Sequence, residues 1–151
     1  MEITAYRLVP KKHVNSAFEG TGARLYGGRW NSPGIAVVYT AESLALCCLE
    51  ILVHLSSYKV LQEYVYITVH FDSTFVVEAE LVDGWNSRPV SSRSQAIGNQ
   101  WVYDRAFPVL KVPSVIIPEG SNYLLNTAHP DFHKIKTGKP VTITLDPRLK
   151  N

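Results

Sequence analysis

Short apolar runs dominate the hydrophobic pattern of the chain, and long amphipathic repeats are rare. Runs of four to eight apolar and β-branched residues, bounded by Gly, Pro, Asn or Asp, are typical of β-strands. The pattern therefore predicts strands over residues 3–9, 35–40, 64–71, 75–80, 110–117, 122–125 and 141–145.

Two segments have the pattern of helices. The first follows Thr40, a favourable N-cap, has Glu42 in its first turn, and runs to about residue 55. The second spans residues 92–106, although Gly98 is unfavourable inside a helix. Strands outnumber helices and do not alternate with them. The sequence thus predicts an α+β fold with mixed or antiparallel strands, in one compact domain over residues 1–151.

Residues 15–34 contain five glycines together with Asn, Ser and Pro, and they predict a long ordered loop. A loop of this length inside a compact domain is usually functional. Its Gly27-Gly28 pair precedes an arginine, but the segment has neither a Walker sequence nor a GxGxxG turn between strand and helix.

The composition excludes several classes of protein. The 151 residues are 46% hydrophobic and 19% charged, with a net charge of +2, as expected of a globular chain. No run of Lys or Arg marks a nucleic-acid or membrane surface. The adjacent Cys47 and Cys48 cannot readily bridge each other on a helix, which favours a reducing compartment. Since residues 44–55 are too short to span a bilayer and the N-terminus does not resemble a signal peptide, we expect a cytoplasmic protein.

Glu50 lies on the most apolar of the predicted helices. An ionised carboxylate is costly to bury there unless it is paired. In one interpretation Glu50 occupies a narrow solvent face and interacts with His54 one turn later. In the other it lies at the floor of a cleft, with arginines contributed by other segments.

Arg7, Arg29 and Ser114 are the other candidate site residues. An arginine fork suits phosphate or carboxylate groups, although each arginine alone could form a surface ion pair. No GxSxG sequence surrounds Ser114, so a hydrolase nucleophile is not indicated and a serine bonded to the backbone is the alternative. His129 and His133 have helical i,i+4 spacing, but the sequence suggests no third zinc ligand.

Taken together, these positions resemble a known family. Arg7, Glu50 and Ser114 match, in order, the arginine, glutamate and serine that give the RES domain its name. The connecting motifs GARLYGGRWNSPG, VYTAES, LE, VPSVIIP and NYLLNTAHPDF also resemble that family and span nearly the whole chain.

The resemblance implies a bacterial toxin of a toxin–antitoxin pair, with a fold similar to ADP-ribosyltransferase toxins. RES proteins deplete NAD⁺, and some are reported to modify a protein target instead. The partner implied is an Xre-type helix-turn-helix antitoxin that covers the active site. DNA contact then belongs to the partner, in agreement with the missing basic run.

The residues fit cleavage of the nicotinamide–ribose bond of NAD⁺. Nicotinamide leaves as a neutral molecule, so the reaction needs no general acid, and Glu50 alone can stabilise the positive charge that develops on the ribose. We expect Arg7 and Arg29 to hold the pyrophosphate, or one of them the ribose side. NAD⁺ enters as the substrate, and we expect no further cofactor and no metal.

The remaining assignments depend on the resemblance or on position alone. Tyr39, at the end of a predicted strand, is expected to stack on the nicotinamide ring. By family match, Ser114 would hydrogen-bond the nicotinamide amide or the ribose, and Asn126 would line the same cleft. Trp30 is expected to pack the loop that presents Arg29.

Two other functions stay open at this point. A mono-ADP-ribosyltransferase would use the same site with a protein side chain as acceptor. A non-catalytic nucleotide-binding module would explain the arginines and aromatic residues, but it has no evident need for a carboxylate on an apolar helix.

Overall fold

A mixed sheet forms the centre of the protein. In the computed structural model, which describes residues 1–149, the sheet has eight strands. They are β1 (Glu2–Pro10), β2 (Val38–Ala41), β3 (Tyr64–Asp72), β4 (Val76–Glu78), β5 (Val109–Pro113), β6 (Ser121–Leu125), β7 (Lys136–Thr137) and β8 (Val141–Thr142).

The strand order is β4-β5-β6-β2-β1-β3-β7, and β8 also pairs with β3. Only β4 and β5 run parallel among these pairs. The β1–β3 ladder continues through nine residue pairs, whereas β1 meets β2 at the single pair Tyr6–Ala41. The two central strands therefore separate beyond that pair, and the sheet is open at its middle.

Three α-helices accompany the sheet within residues 1–149: α1 (Thr21–Tyr26), α2 (Leu44–Leu52) and α3 (Ser92–Asp104). Short 3-10 helices cover Lys11–Ser16, Tyr58–Glu63, Ser73–Phe75 and Phe132–Lys134. The Ser43 side chain caps α2 by accepting the Leu46 N–H at 3.1 Å. No helix in this part of the chain is long and apolar enough to cross a membrane.

The two longer helices pack against different parts of the sheet. Leu46 and Cys47 of α2 are buried against Leu8 of β1 and Ala41 of β2. Trp101 of α3 joins a second apolar cluster, with Trp30, Val37, Leu110, Val112 and Leu124. These contacts fix α2 beside the opening between β1 and β2, and α3 beside the glycine-rich segment.

The α+β fold class and the positions of the main elements are confirmed. Several boundaries differ from the sequence predictions. The strand predicted over 35–40 begins at Val38 and includes Thr40, so Ser43 is the N-cap instead. The segment predicted as a loop over 15–34 contains the short helix α1, which the many glycines of the segment did not predict.

The remaining differences are at the ends of elements. The helix predicted to residue 55 ends at Leu52, and the strands predicted over 75–80, 110–117 and 141–145 are all shorter. After Pro113 the chain turns at Ser114. The Ser114 hydroxyl accepts the backbone N–H groups of Ile116 and Ile117, and these bonds take the place of the strand pairing of β5. Residues 150 and 151 of the predicted domain lie outside the described residues.

Candidate active site

The candidate active site is a small cleft at the point where β1 and β2 separate. Its volume is about 70 Å³, well below the size of an enclosed ligand pocket, so a dinucleotide could enter it only in part. Its lining residues are Arg7, Leu8, Tyr39, Thr40, Ala41, Cys47, Glu50, Ile51 and Asn122.

Arg7 bridges the gap between the two strands. Its Nε donates to the Ala17 carbonyl at 3.0 Å, and its Nη1 donates to the Tyr39 carbonyl at 3.1 Å. Burial lowers the pKa of the guanidinium below its ordinary value. Arg7 therefore joins β1 to β2 through the Tyr39 carbonyl and also brings a positive charge to the cleft.

Glu50 extends from α2 to the same cleft, and neutral groups hold it. Its Oε1 accepts hydrogen bonds from Ser114 Oγ at 2.5 Å and from Asn122 Nδ2 at 2.9 Å. Among residues 1–149 no cation forms an ion pair with Glu50, and no donor reaches its Oε2. Within residues 1–149 His54 forms no ion pair with Glu50, whose hydrogen bonds go to Ser114 and Asn122 across the cleft, so the structure does not contain the helix-surface pair of the alternative interpretation.

Ser114 lies directly after β5 and is fully buried. While it donates to Glu50, its oxygen accepts the N–H groups of Ile116 and Ile117 at 3.0 and 3.1 Å. This geometry does not favour the predicted hydrogen bond from Ser114 to nicotinamide or ribose, because the single proton of the hydroxyl is already donated to Glu50. Ser114 instead orients the carboxylate.

Tyr39 lines the cleft, but its hydroxyl points to the glycine-rich segment. The hydroxyl donates to Asn31 Oδ1 at 2.6 Å and accepts the Trp30 N–H at 3.2 Å. Burial raises the pKa of Tyr39 above its ordinary value, so the phenol stays neutral. A Cβ at Gly28 would lie 2.7 Å from this hydroxyl, which is why a glycine is needed there.

Arg29 is held from a different direction. Its Nη1 donates to the carbonyls of Trp85 and Ser87, both at 3.0 Å. Burial and the neighbouring Arg88 lower the pKa of Arg29, and the smaller effects of Glu50 and Tyr39 raise it. Arg29 is thus within electrostatic reach of Glu50, although it is not part of the cleft lining.

Helix α3 fixes the segment that carries Arg29. Ser94 donates to the Arg29 carbonyl at 2.6 Å and Gln95 donates to the Gly28 carbonyl at 3.0 Å. Trp30, only 2% exposed, stacks on Trp85 with ring centroids 5.9 Å apart. The packing role predicted for Trp30 is confirmed.

Asn126 is not brought to the cleft. It is fully buried, with Nδ2 donating to the Val102 carbonyl at 3.2 Å and Oδ1 accepting the Ala128 N–H at 3.0 Å. Asn122, four residues earlier, lies in the cleft and was missed. The one available signal was a strand-disfavoured Asn at the start of an apolar run.

Asn31 was missed as well. Its Nδ2 donates to the Ala23 and Ile35 carbonyls at 2.8 and 3.0 Å, and its Oδ1 receives the Tyr39 hydroxyl. The side chain thereby connects α1, the turn before β2, and the cleft. Its position in the GGRWN motif was visible, but its partners were not.

A larger cavity of about 420 Å³ lies elsewhere, between α3 and the β4–β5 edge. Its lining includes the carboxylates of Glu78, Glu80 and Asp104 and no Lys or Arg, so it does not suit a phosphate-bearing ligand. Residues 1–149 also contain no group of three or more His, Cys, Asp or Glu side chains placed to hold a metal ion.

The cleft combines one fixed carboxylate with one arginine in its lining and another near by. Neutral donors orient Glu50 without cancelling its charge. Such a carboxylate can stabilise positive charge that develops on a bound ligand, and the arginines can bind an anionic part of that ligand.

Comparisons with known proteins agree with the motifs. Residues 4–146 match the family described as RES domain. A Prs ADP-ribosylating toxin of Sphingobium sp. (strain YBL2) is 39% identical over 86% of this chain and 84% of its own length. A Toxin Res of Yersinia enterocolitica is 34% identical over 96% of this chain and 98% of its own length.

A solved structure shares the fold. The crystal structure of the M. tuberculosis MbcT–MbcA toxin–antitoxin complex contains a chain that superposes with a TM-score of 0.75 at 20% identity. The match covers 95% of this chain and 85% of the other.

Proposed function

Because the chain belongs to the RES domain family, we propose that it is the toxin of a toxin–antitoxin pair and that it degrades NAD⁺ in the cytoplasm. The reaction would break the bond between nicotinamide and ribose. The observation that carries the proposal is Glu50, a cleft carboxylate held by a hydroxyl and an amide instead of by a cation.

The chemistry of NAD⁺ suits a site with one carboxylate. The C1′–N bond breaks, its electron pair goes to the pyridinium nitrogen, and nicotinamide leaves neutral. Positive charge then develops on the ribose, where an ionised Glu50 stabilises it. Water attacks C1′ and loses a proton to the solvent, which gives ADP-ribose. No second carboxylate is needed to protonate the leaving group, in contrast to ordinary glycosidases.

The other cleft residues have separate roles in this proposal. Arg7 and Arg29 bind the pyrophosphate or the ribose side, each through charge-assisted hydrogen bonds worth about 1.5–3 kcal/mol. The ring of Tyr39 stacks on nicotinamide. Ser114 acts through Glu50, since its proton is already donated to that carboxylate.

The experiment that tests the proposal follows both products of NAD⁺. Purified chain, freed of any co-purifying partner, is incubated with NAD⁺, and nicotinamide and free ADP-ribose are quantified by chromatography. Equal amounts of the two are expected. A folded, partner-free chain that leaves NAD⁺ intact would overturn the proposal and favour a nucleotide-binding module, which binding of NAD⁺ by calorimetry would then identify.

One observation favours a second function. The Sphingobium relative is named an ADP-ribosylating toxin and is 39% identical to this chain. The same site would then transfer ADP-ribose to a protein side chain instead of to water. Biotinylated NAD⁺ separates the two reactions, because only transfer leaves biotin on protein in a cell extract.

We further propose an Xre-type helix-turn-helix antitoxin as the partner, with a segment that covers the cleft. In support, the structural neighbour comes from a toxin–antitoxin complex. Co-expression with the adjacent gene should give a complex that binds DNA and lacks NAD⁺ consumption, whereas the isolated chain should bind no DNA. An isolated chain that itself shifts operator DNA would contradict the division of roles.

A further inference from the structure

Asn122 connects Glu50 to the sheet, and its amide is paired at one end only. Nδ2 donates to Glu50 Oε1 at 2.9 Å. Oδ1 is buried, and no donor among residues 1–149 reaches it. It is the single buried side-chain polar atom without a partner in the described part of the chain.

The orientation of this amide follows from the chemistry of its partner. An ionised carboxylate only accepts hydrogen bonds, so the amide must present its NH₂ group to Glu50. Rotating the amide would place Oδ1 against Oε1. The unpaired Oδ1 is therefore a consequence of donating to Glu50.

An asparagine is otherwise unfavourable at this position. Asn122 lies inside β6 between β2 and β5, opposite Ala41 and Val112, where residues with high strand propensity would pack better. A buried acceptor without a partner also lowers stability. Asn122 therefore lowers the stability of the fold, and its hydrogen bond to Glu50 is the one interaction that an apolar, strand-favouring residue could not make.

We infer that Asn122 is a positioning residue for Glu50. Together with Ser114 it holds Oε1 from two different segments and fixes the rotation of the carboxylate. Oε2 is then the oxygen left to meet a ligand in the cleft. This inference rests on the proposed NAD⁺ chemistry only for its activity readout.

The first test replaces Asn122 with leucine, which is similar in size and removes both the donor and the unpaired oxygen. We expect kcat for NAD⁺ to fall about tenfold or more, on the scale of a lost electrostatic contact, with little change in KM. The urea midpoint should stay the same or rise. Asn126→Leu is the stability control: both the nitrogen and the oxygen of its amide have partners, so its urea midpoint should fall. Asn122→Ala takes the place of the leucine variant if that protein does not fold.

A double-mutant cycle with Glu50→Gln separates positioning from direct contact. If Asn122 acts through Glu50, Asn122→Leu causes no further loss in the Glu50→Gln background. An equal loss in both backgrounds, or a fall in stability that parallels the fall in kcat, overturns the inference.

Failure of the proposed function has a different signature. If the wild-type chain consumes no NAD⁺, a crystal structure of Asn122→Leu decides the matter instead. A rotated Glu50 carboxylate supports the positioning role, and an unmoved one refutes it.

Discussion

At the scale of single residues, the neutral partners of Glu50 have the largest consequence for function. An arginine in direct contact would cancel much of the charge of the carboxylate and hold it in an ion pair. The Ser114 hydroxyl and the Asn122 amide orient Glu50 and leave its charge uncompensated at contact distance. The apolar wall formed by Leu8, Ala41 and Ile51 limits solvent screening of that charge.

Replacing Glu50 with glutamine tests the role of this charge. The variant keeps the shape of the side chain, and turnover of NAD⁺ should fall about 10²-fold or more, the scale of losing one transition-state contact. Nicotinamide release measured at saturating NAD⁺ gives kcat directly. Glu119→Gln, which removes an exposed carboxylate from the turn after Ser114, is the matched control. Wild-type turnover in Glu50→Gln would exclude the mechanism.

Arg29 is a second residue whose change has a defined result. Arg29→Ala removes a cation near the cleft, so KM for NAD⁺ should rise about tenfold, the lower end expected for one charge-assisted contact. Because its Nη1 also holds the Trp85 and Ser87 carbonyls, a small loss of stability should accompany this effect. Initial rates over a range of NAD⁺ concentrations separate KM from kcat. Arg24→Ala, an exposed arginine five residues earlier, is the control, and unchanged KM and kcat in Arg29→Ala would remove Arg29 from the site.

At the scale of elements, α3 acts as a support for the glycine-rich segment. Ser94 and Gln95 donate to the consecutive carbonyls of Arg29 and Gly28, and Asn99 binds Ser32 through both of its amide atoms. The helix approaches so closely that only a glycine fits at position 98. A Cβ there would lie 1.7 Å from the Trp30 carbonyl oxygen.

A pair of glycine substitutions tests this close approach. Gly98→Ala should lower the free energy of unfolding by about 3 kcal/mol, because the helix must move away from Trp30 and overpacking of this kind is costly. Gly22→Ala in α1 meets no atom within 4 Å and should stabilise the protein by about 0.5 kcal/mol. Urea denaturation of both variants measures the difference. Equal stability in Gly98→Ala and wild type would show that α3 does not press on Trp30.

At the scale of the whole molecule, protons retained in the core make stability sensitive to alkaline pH. Burial raises the pKa of the Cys47 thiol to about 12, and it also raises the pKa of Cys48 and of Tyr39. The unfolded chain releases these protons at lower pH than the folded protein does. Stability from these groups is therefore complete below about pH 9, the ordinary thiol range, and declines as pH rises above it.

Urea unfolding between pH 7.5 and 10.5 measures this decline. Cys47 alone should contribute a loss of about 2 kcal/mol between pH 9 and 10.5, at about 1.4 kcal/mol per pH unit for one group. Cys47→Ala should be less stable at pH 7.5 and lose less between pH 9 and 10.5. A wild-type midpoint that does not change over this range would mean that the thiol ionises in the folded state.

The sequence by itself determined the fold class, the central strands, α2 and α3, and it indicated Arg7, Glu50 and Ser114 as candidate site residues. Hydrophobic periodicity and short motifs carry this information because they depend on neighbours along the chain. The predicted ends of elements were less accurate. Ser43 begins α2 and Ser114 follows the end of β5, and both do so through side-chain hydrogen bonds that several residue types could make.

Only the tertiary structure decided what the site residues do for one another. The separation of β1 from β2 after one residue pair creates the cleft, and no local pattern encodes it. Ser114 and Asn122 meet Glu50 across more than sixty residues of sequence, and the strand pairing sets that contact. Asn122 lies within the paired part of β6, beside Ala41 and Val112, and reaches the cleft. Asn126 lies one residue beyond the end of β6 and binds the backbone of Val102 and Ala128 instead, a choice of partners that only the packing in three dimensions sets.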